Sequence, residues 1–220
     1  MANEGADLPD LPERFGAERV TFPPNEKYER GSQSMDVFWD EVRLDRGRRV
    51  LAGMLAARDS RFFMIVDDDD FVSARIAQHA SENTDANGWT INFGYVWSDG
   101  GRLLIQHDNF FWLCGTSLIV RSDLYDLPAR LQEASACWIK TMLGSHKIIV
   151  DILAKRGTQL AQLPFRGAVY RVAHAGSHSR APGLWVTYFW KEIRRPRKLL
   201  RNAGKLRVIN SAIRREFGMR

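Results

Sequence analysis

Apolar residues along this chain switch repeatedly between helix-like and strand-like spacing, which is typical of an α/β fold. A helix is predicted over residues 43–58, where apolar positions recur every three or four residues. These positions are Val50, Leu51, Met54 and Leu55. Residues 62–66 form an uninterrupted apolar run, the pattern of a fully buried strand in a parallel sheet. Ser73 is predicted to cap a short helix that ends near Ser81.

The middle of the chain predicts a β-hairpin. Apolar residues alternate with polar or small residues over 89–97, SDGG at 98–101 supplies turn residues, and 102–106 returns as the second strand. The alternating positions are Trp89, Ile91, Phe93, Tyr95 and Trp97. A further buried strand is predicted over 110–120, and a helix over 129–141.

The C-terminal half continues the alternation of helices and strands. Ser145 is predicted to cap a helix that Gly157 closes. Residues 169–172 predict a late strand. Two helices, over 184–193 and 197–215, are separated by a proline, which cannot continue a helix.

The most informative stretch is FFMIVDDDDFVS at residues 62–73, in which four aspartates follow an apolar run. Alternate side chains at a strand end point to opposite sides, so Asp67 and Asp69 share one side and Asp68 and Asp70 the other. Carboxylates on one side repel each other, and a divalent cation relieves that repulsion. An exposed acidic turn is the alternative. We favour a metal because ligands of open α/β sheets bind beyond the carboxyl ends of strands.

The segment IVDDDDFVS at 65–73 resembles the Asp-x-Asp segment of GT-A glycosyltransferases, especially the family 2-like enzymes. Residues 45–58 resemble the helix with a basic N-terminal part that precedes this segment in those enzymes. SHKIIVDILAKRG at 145–157 resembles their acceptor-side helix, and YRVAHAGSHS at 170–179 resembles a late strand ending in His and a Ser-rich turn. The similarity extends over residues 18–180.

The resemblance implies a GT-A-like (Rossmann-like) mixed sheet flanked by helices, with a metal that bridges the diphosphate of a nucleotide-sugar donor. It makes Asp69 the direct metal ligand, and it places Asp67 toward the donor's ribose or toward the metal and its water. Asp68 and Asp70 would orient the loop or reach the sugar. His174 would supply a third metal ligand through a ring nitrogen. The metal, Mn²⁺ or Mg²⁺, would neutralise charge on the leaving nucleoside diphosphate.

Other residues have a functional and a structural interpretation. His178 is an alternative to His174 as a metal ligand, and a surface loop histidine is the structural interpretation of both. Arg46 and Arg49, with Arg48 beside them, begin the helix over 43–58 and suit recognition of a diphosphate, because the guanidinium group is bidentate. An ordinary solvated helix face is their structural interpretation.

Two features depart from the family pattern. These enzymes open with an apolar strand and a loop that grips the nucleotide base, and no such strand precedes Val20. Only a weak strand is predicted over 17–24, so we expect the chain to start inside the fold. Ser145-His146 also replaces the acidic pair that usually supplies the general base.

His146 is the best available general base in the sequence. It lies in the first turn of a predicted helix, where the helix N-terminus disfavours a protonated imidazole, so a neutral base is expected there. It would take the proton from an acceptor hydroxyl. The alternative is a partly buried histidine packed beside Ile149 and Val150. The His-Asp-Asn run at 107–109 is a second place where an acceptor could bind.

Charge is distributed unevenly. The net charge is +6, but residues 191–220 contain eleven Lys or Arg and two Glu, so they carry +9 and the rest of the chain carries −3. Aromatic residues precede this basic run, which predicts a helical tail over 184–220 lying on an anionic membrane. A solvated helix packed through its aromatics is the alternative. No nucleic acid is expected, because no recognition motif accompanies the charge.

These observations predict a transferase domain over 1–183 and a basic aromatic tail over 184–220. The expected activity is metal-dependent transfer of a sugar, with inversion, from a nucleoside diphosphate sugar to a saccharide or lipid-linked acceptor, in cell-surface polysaccharide or glycolipid synthesis. A nucleotidyl- or phosphotransferase with the same acidic site is the first alternative, and a degenerate, non-catalytic transferase-like domain is the second. The polar, acidic N-terminus is not a signal peptide. We expect a cytoplasmic protein peripheral to the inner face of the membrane.

Overall fold

The computed structural model describes residues 1–13, 15–22, 34–174 and 182–219, and they form an α/β fold with mixed sheets flanked by helices. The helices are α1 (Met35–Ala56), α2 (Arg75–Glu82), α3 (Phe110–Leu113), α4 (Ala136–Met142), α5 (His146–Lys155), α6 (Leu184–Tyr188), α7 (Pro196–Gly204) and α8 (Ser211–Phe217). The strands are β1 (Ala2–Asn3), β2 (Arg19–Val20), β3 (Phe62–Met64), β4 (Phe71–Val72), β5 (Gly88–Thr90), β6 (Gly94–Ser98), β7 (Leu103–His107), β8 (Leu118–Arg121), β9 (Ala161–Gln162), β10 (Ala168–Val172) and β11 (Leu206–Val208). The predicted α/β class is confirmed.

The chain divides into two compact units. The first consists of Met1–Phe63 and Arg121–Gln159, and the second of Met64–Val120 and Leu160–Arg220. Residues 184–220, for which the sequence predicted a separate tail, belong to the second unit.

The first unit is mainly helical. In it α1 packs against α4, and α4 against α5. Gly47 permits the close approach of α1, since a Cβ atom there would lie 2.5 Å from Cγ2 of Ile139. Both α1 and α4 begin at a serine whose Oγ accepts a hydrogen bond from a backbone N–H of the first turn, Ser34 from Val37 and Ser135 from Trp138.

The helix predicted between Ser145 and Gly157 is present as α5. Ser145 occupies its N-cap position, although the side chain makes no capping hydrogen bond. Gly157 follows the helix with φ 76°, the left-handed conformation predicted for its closing glycine. Ile149 and Leu153 are the fully buried residues of the helix. The short strands β1 and β2 pair in parallel elsewhere in this unit.

A five-stranded mixed sheet, in the order β11-β7-β6-β10-β4, organises the second unit. Strands β6 and β7 form the predicted hairpin, with Trp97 opposite Leu104, and Gly100 adopts φ 73° in its turn. Strand β10 lies parallel to β6 and antiparallel to β4, which directly follows the four aspartates. A second sheet has the order β3-β8-β5-β9.

Each face of the five-stranded sheet is covered by a C-terminal helix. On one face Leu184 of α6 joins a core cluster, and on the other Phe217 of α8 joins a second cluster. The first cluster consists of Val96, Ile105, Val172 and Leu184. The second consists of Leu104, Val169, Phe217 and Met219. This division of neighbouring residues between the two faces follows from the two-residue period of a strand.

Three sequence predictions about strands are wrong in detail. The run over 62–66 is not a fully buried strand, because β3 ends at Met64 and only Phe63 is buried. The alternating positions over 89–97 are split between two sheets, since β5 and β6 pair with different partners. Residues 110–120 contain the short helix α3 before β8 begins, because Gly115 and its small polar neighbours interrupt the apolar run.

The helix predicted over 197–215 is also interrupted. The chain leaves α7 at Gly204, and β11 then pairs antiparallel with the edge strand β7 before α8 begins. The C-terminal segment is therefore built into the sheet of the second unit rather than attached to it as a helical tail. None of the helices in the described part of the chain has the length and apolar character needed to cross a membrane.

Candidate functional site

The four aspartates form a turn between β3 and β4. The backbone N–H of Asp70 donates to the carbonyl of Asp67 at 3.1 Å, so the four residues close a β-turn. The N–H of Asp67 donates to Oγ1 of Thr116, a fully buried side chain, at 3.0 Å. The strict alternation predicted for these side chains is therefore replaced by turn geometry, in which each carboxylate has its own surroundings. Asp68 is the exposed member.

Asp69 makes the contact that joins this turn to the other candidate metal ligand. Its Oδ2 lies 2.6 Å from Nε2 of His174, which follows the last residue of β10 by two positions. The side chains are 25% and 11% exposed respectively, so the pair is largely shielded but still reachable from solvent. The structure thus brings together two of the residues that the sequence singles out. His178 lies outside the described residues, as does most of the Ser-rich turn.

Asp70 points into the protein rather than toward this pair. Its Oδ2 accepts a hydrogen bond from Sγ of Cys114 at 3.0 Å, and its Oδ1 accepts from the backbone N–H of Arg171 at 3.2 Å. Burial raises the pKa of the Asp70 carboxyl, and the charge of Asp67 adds to the effect. Burial, with the nearby Asp70 charge, also raises the pKa of the Cys114 thiol, so this cysteine is a hydrogen-bond donor rather than a thiolate. The sequence analysis gave Asp70 two possible roles, orienting the loop or reaching the sugar. Its contacts with Cys114 and the backbone of Arg171 fit the first role.

Arg171 flanks the site on β10. Its guanidinium group pairs with Asp99 at 2.9 Å and lies 5.8 Å from the ring centre of Trp97. The hydrogen bond from Arg171 lowers the pKa of Asp99. Because this pair is only about one-third exposed, Arg171 is a fixed positive charge on the same strand that leads to His174.

The protein atoms at the site suit a cation that shares its ligands with a phosphate group. Asp69 and His174 offer one carboxylate oxygen and one imidazole nitrogen. Among the described residues, no three His, Cys, Asp or Glu residues form a group that could hold a metal ion, and the role of Asp67 as a further ligand stays a prediction. Mg²⁺ in proteins usually binds through one or two carboxylates and completes its shell with waters and substrate phosphates. Asp69 supplies one carboxylate of that kind, and His174 would add an imidazole nitrogen. Among the described residues, the other ligand positions would be left to water and phosphate.

The remaining predicted site residues belong to the first unit. His146 is the first residue of α5 and is partly buried, as its structural interpretation requires, and its role as a base stays a prediction. Arg49 pairs with Asp45 on its own helix at 2.9 Å and donates to the side chain of Asn3. These contacts engage much of its guanidinium group, which favours a structural role. Arg46 lies on the same helix, and its role in donor binding stays a prediction.

A separate polar cluster lies around the predicted acceptor segment at 107–109. Lys205 donates to one carboxylate oxygen of Asp108 at 2.7 Å, and Arg166 donates to the other at 3.0 Å. These hydrogen bonds, that of Lys205 first, lower the pKa of Asp108. Burial and the Lys205 charge lower the pKa of His107, and its Nδ1 accepts from the N–H of Asn109. Asp108 is thus engaged in ion pairs that tie β11 to the sheet.

Sequence reasoning missed Cys114, Thr116 and Arg171 as neighbours of the acidic turn. The available signal was the run Cys-Gly-Thr-Ser at 114–117, small polar residues inside an otherwise apolar segment. An arginine inside the strand predicted over 169–172 was a second signal, since a charge in a central strand requires a partner.

Comparisons with protein-family models, with curated proteins and with solved structures returned no match for this chain. The contacts of the acidic turn are therefore the basis on which a function is inferred.

Proposed function

We propose that this chain is a metal-dependent glycosyltransferase of the GT-A type. It would transfer a sugar from a nucleoside diphosphate sugar to a saccharide or lipid-linked acceptor. The proposal rests on one observation, the contact between Asp69 in the acidic turn and His174 at the end of β10. These two residues lie in the segments at 65–73 and 170–179, both of which carry the resemblance to this enzyme class.

The arrangement around the turn assigns a different task to each carboxylate. Asp69, together with His174, would hold the ion that accompanies the donor's diphosphate. Asp70 fixes the turn through Cys114 and the backbone of Arg171. Asp68 is exposed and would meet the sugar, while Asp67 would contact the ribose.

A bound Mn²⁺ or Mg²⁺ would neutralise charge that develops on the leaving diphosphate. The rest of the reaction requires a group that accepts the proton of the acceptor hydroxyl. His146 is our candidate, because it begins α5 and an imidazole can accept a proton near neutral pH.

Calorimetry with UDP and GDP in the presence of Mn²⁺ tests the proposal. Wild-type protein should bind one of these nucleotides only when Mn²⁺ is present, and Asp69→Ala should abolish that binding. Asp68→Asn is the matched control, since it removes an equal charge from the exposed part of the same turn. Its nucleotide binding should be unchanged, because UDP and GDP lack the transferred sugar that Asp68 would contact.

Product analysis separates the alternatives. A glycosyltransferase releases a nucleoside diphosphate, whereas a nucleotidyltransferase releases pyrophosphate and a phosphotransferase moves phosphate to the acceptor. If wild type and Asp69→Ala bind nucleotide equally, the acidic turn is not a metal site. Absence of any nucleotide binding by the wild type would instead favour the degenerate, non-catalytic domain.

A further inference from the structure

The second unit exposes a surface on which large apolar side chains lie among cations. We call it the basic aromatic surface. Its apolar members are Trp185, Trp190, Ile193 and Leu200, which are 56%, 72%, 61% and 75% exposed. Its exposed cations are Arg194, Arg197 and Arg201. Exposure of this kind in a continuous stretch of chain indicates an interaction surface rather than scattered surface residues.

Other residues of α6 and α7 pack against the second unit, and this packing holds the basic aromatic surface in place. Leu184 is buried in one core cluster, and Tyr188 packs against it. Asn202 of α7 donates to the carbonyl of Tyr188 at 2.6 Å, so α7 is tied to α6. The sequence left open whether the aromatics of this segment pack on the domain or face outward. The structure divides them, with Tyr188 inside and Trp190 outside.

On α7 the apolar and charged residues share one face. Leu200 lies three positions after Arg197, and Arg201 lies four positions after Arg197. Residues at these spacings are neighbours on a helix surface. Leu200 therefore projects from the same face as two arginines. A long cationic side chain on either side of an exposed leucine is an arrangement suited to the boundary between water and lipid.

The charge of this surface is not neutralised within the described residues. Glu192 pairs with Arg195 and Lys198, each at 3.3 Å. In the described part of the chain, no carboxylate pairs with Arg194, Arg197 or Arg201. The surface therefore attracts an anionic partner.

We propose that the basic aromatic surface docks to the headgroup region of an anionic lipid bilayer. Arginines attract anionic headgroups, and tryptophan is suited to the interfacial layer. A nucleic-acid duplex would use the charges but would leave Ile193 and Leu200 largely unused. A second copy docked through the same surface would bring like charges together. This inference does not depend on the glycosyltransferase proposal, since binding to a bilayer requires no nucleotide.

Point variants of the full chain are the proper test. Deleting residues after 183 would remove β11 from the sheet and Phe217 from the core, so loss of binding by such a deletion would have no clear meaning. Co-sedimentation should compare vesicles of phosphatidylcholine alone with vesicles that also contain phosphatidylglycerol. The wild type should bind only the anionic vesicles, and binding should fall steeply with salt, since the Debye length is about 3 Å at 1 M.

Two double variants separate the contributions of charge and apolar contact. Arg197→Gln with Arg201→Gln should weaken the partition coefficient by about fivefold for each cation removed. Trp190→Ser with Leu200→Ser should weaken it about tenfold. Trp112→Ser is the matched control, because Trp112 is 65% exposed but lies outside the surface, and its binding should remain within about twofold of the wild type. Circular dichroism should show that all variants are folded.

Three kinds of outcome would overturn the proposal. The first lies in the vesicle assay itself, where the wild type fails to bind anionic vesicles or where Trp112→Ser and the apolar double variant weaken binding equally. The second is binding of an RNA or DNA duplex, but not of vesicles, that only the charge variant loses. The third is a concentration-dependent dimer, measured by sedimentation velocity, that the apolar variant disrupts while no variant binds lipid.

Discussion

Nε2 of His174 lies 2.6 Å from Oδ2 of Asp69, although 105 positions separate the two residues in the sequence. Ala173, immediately before the histidine, adopts φ 61°. A non-glycine residue in this left-handed region costs about 1–2 kcal/mol. This unfavourable conformation lies directly after β10, at the residue that precedes the contact of His174 with the acidic turn.

His174→Ala should weaken Mn²⁺-dependent binding of a nucleoside diphosphate. Loss of residues that merely support metal ligands costs about 10–100-fold in metal affinity, so loss of a direct ligand should cost at least that much. Calorimetric titration of the nucleotide at several Mn²⁺ concentrations measures the change. His107→Ala removes another histidine of the same unit and should leave the Mn²⁺ dependence intact. An unchanged Mn²⁺ dependence in His174→Ala would restrict the metal to the aspartates.

Asp70 should make stability depend on pH in an unusual direction. Burial raises the pKa of its carboxyl above the ordinary value of 3.8. Between the unfolded and the raised folded value the native state binds more protons, so the free energy of unfolding falls as pH rises. Asp70→Asn lacks this dependence. We expect urea denaturation to show the variant gaining stability relative to wild type as pH rises above the unfolded value of 3.8.

Asp108, in the same unit, should make the free energy of unfolding change with pH in the opposite direction. The hydrogen bonds from Lys205 and Arg166 lower its pKa, so its stabilising contribution is present above the unfolded value of 3.8 and is lost as pH falls. Asp108→Asn should therefore lose stability relative to wild type as pH rises. The side chain is 43% exposed, so the loss at neutral pH should remain below about 1 kcal/mol. If the relative stability of both variants rose with pH, the assignment of Asp108 would be contradicted, and if both fell, that of Asp70.

Gly94 should be intolerant of any side chain. A Cβ atom at this position in β6 would lie 2.2 Å from Cδ2 of Phe110, whose side chain is fully buried. Gly94→Ala forces that ring or the strand to shift, and overpacking of this kind costs about 1–3 kcal/mol. Gly204→Ala is the control, since no heavy atom lies within 4 Å of its Cβ position. Urea unfolding midpoints should fall for the first variant and stay constant or rise slightly for the second.

The sequence was sufficient to predict local structure wherever one segment carried its own signals. The hairpin of β6 and β7 follows from alternation and a Gly-rich turn, and α5 from its apolar spacing and Gly157. These features need no information about distant residues. The same is true of the acidic turn, whose position after an apolar strand is visible in the sequence alone.

Contacts between distant segments were not predictable in the same way. The position of Cys114 beside Asp70 depends on where the chain turns between α3 and β8, and the sequence predicted an unbroken strand there. The pairing of β11 with β7 was also missed, because Leu206–Val208 lies in a basic stretch that otherwise favours helix. Tertiary pairing overrides local propensity at such short strands.

His146→Ala tests the proposed general base. If His146 accepts the proton of the acceptor, the variant should lower turnover by about 10²–10⁴-fold while donor affinity stays nearly unchanged. The control is Asp151→Asn, an exposed residue about 140° around α5 from His146, which should alter neither quantity. Steady-state transfer assays and donor titrations give the two numbers separately. A variant that transfers sugar at nearly the wild-type rate would make His146 a packing residue of α5. The base would then be sought at residues 107–109 or in Asp68, because Asp70 is engaged by Cys114 and by the backbone of Arg171.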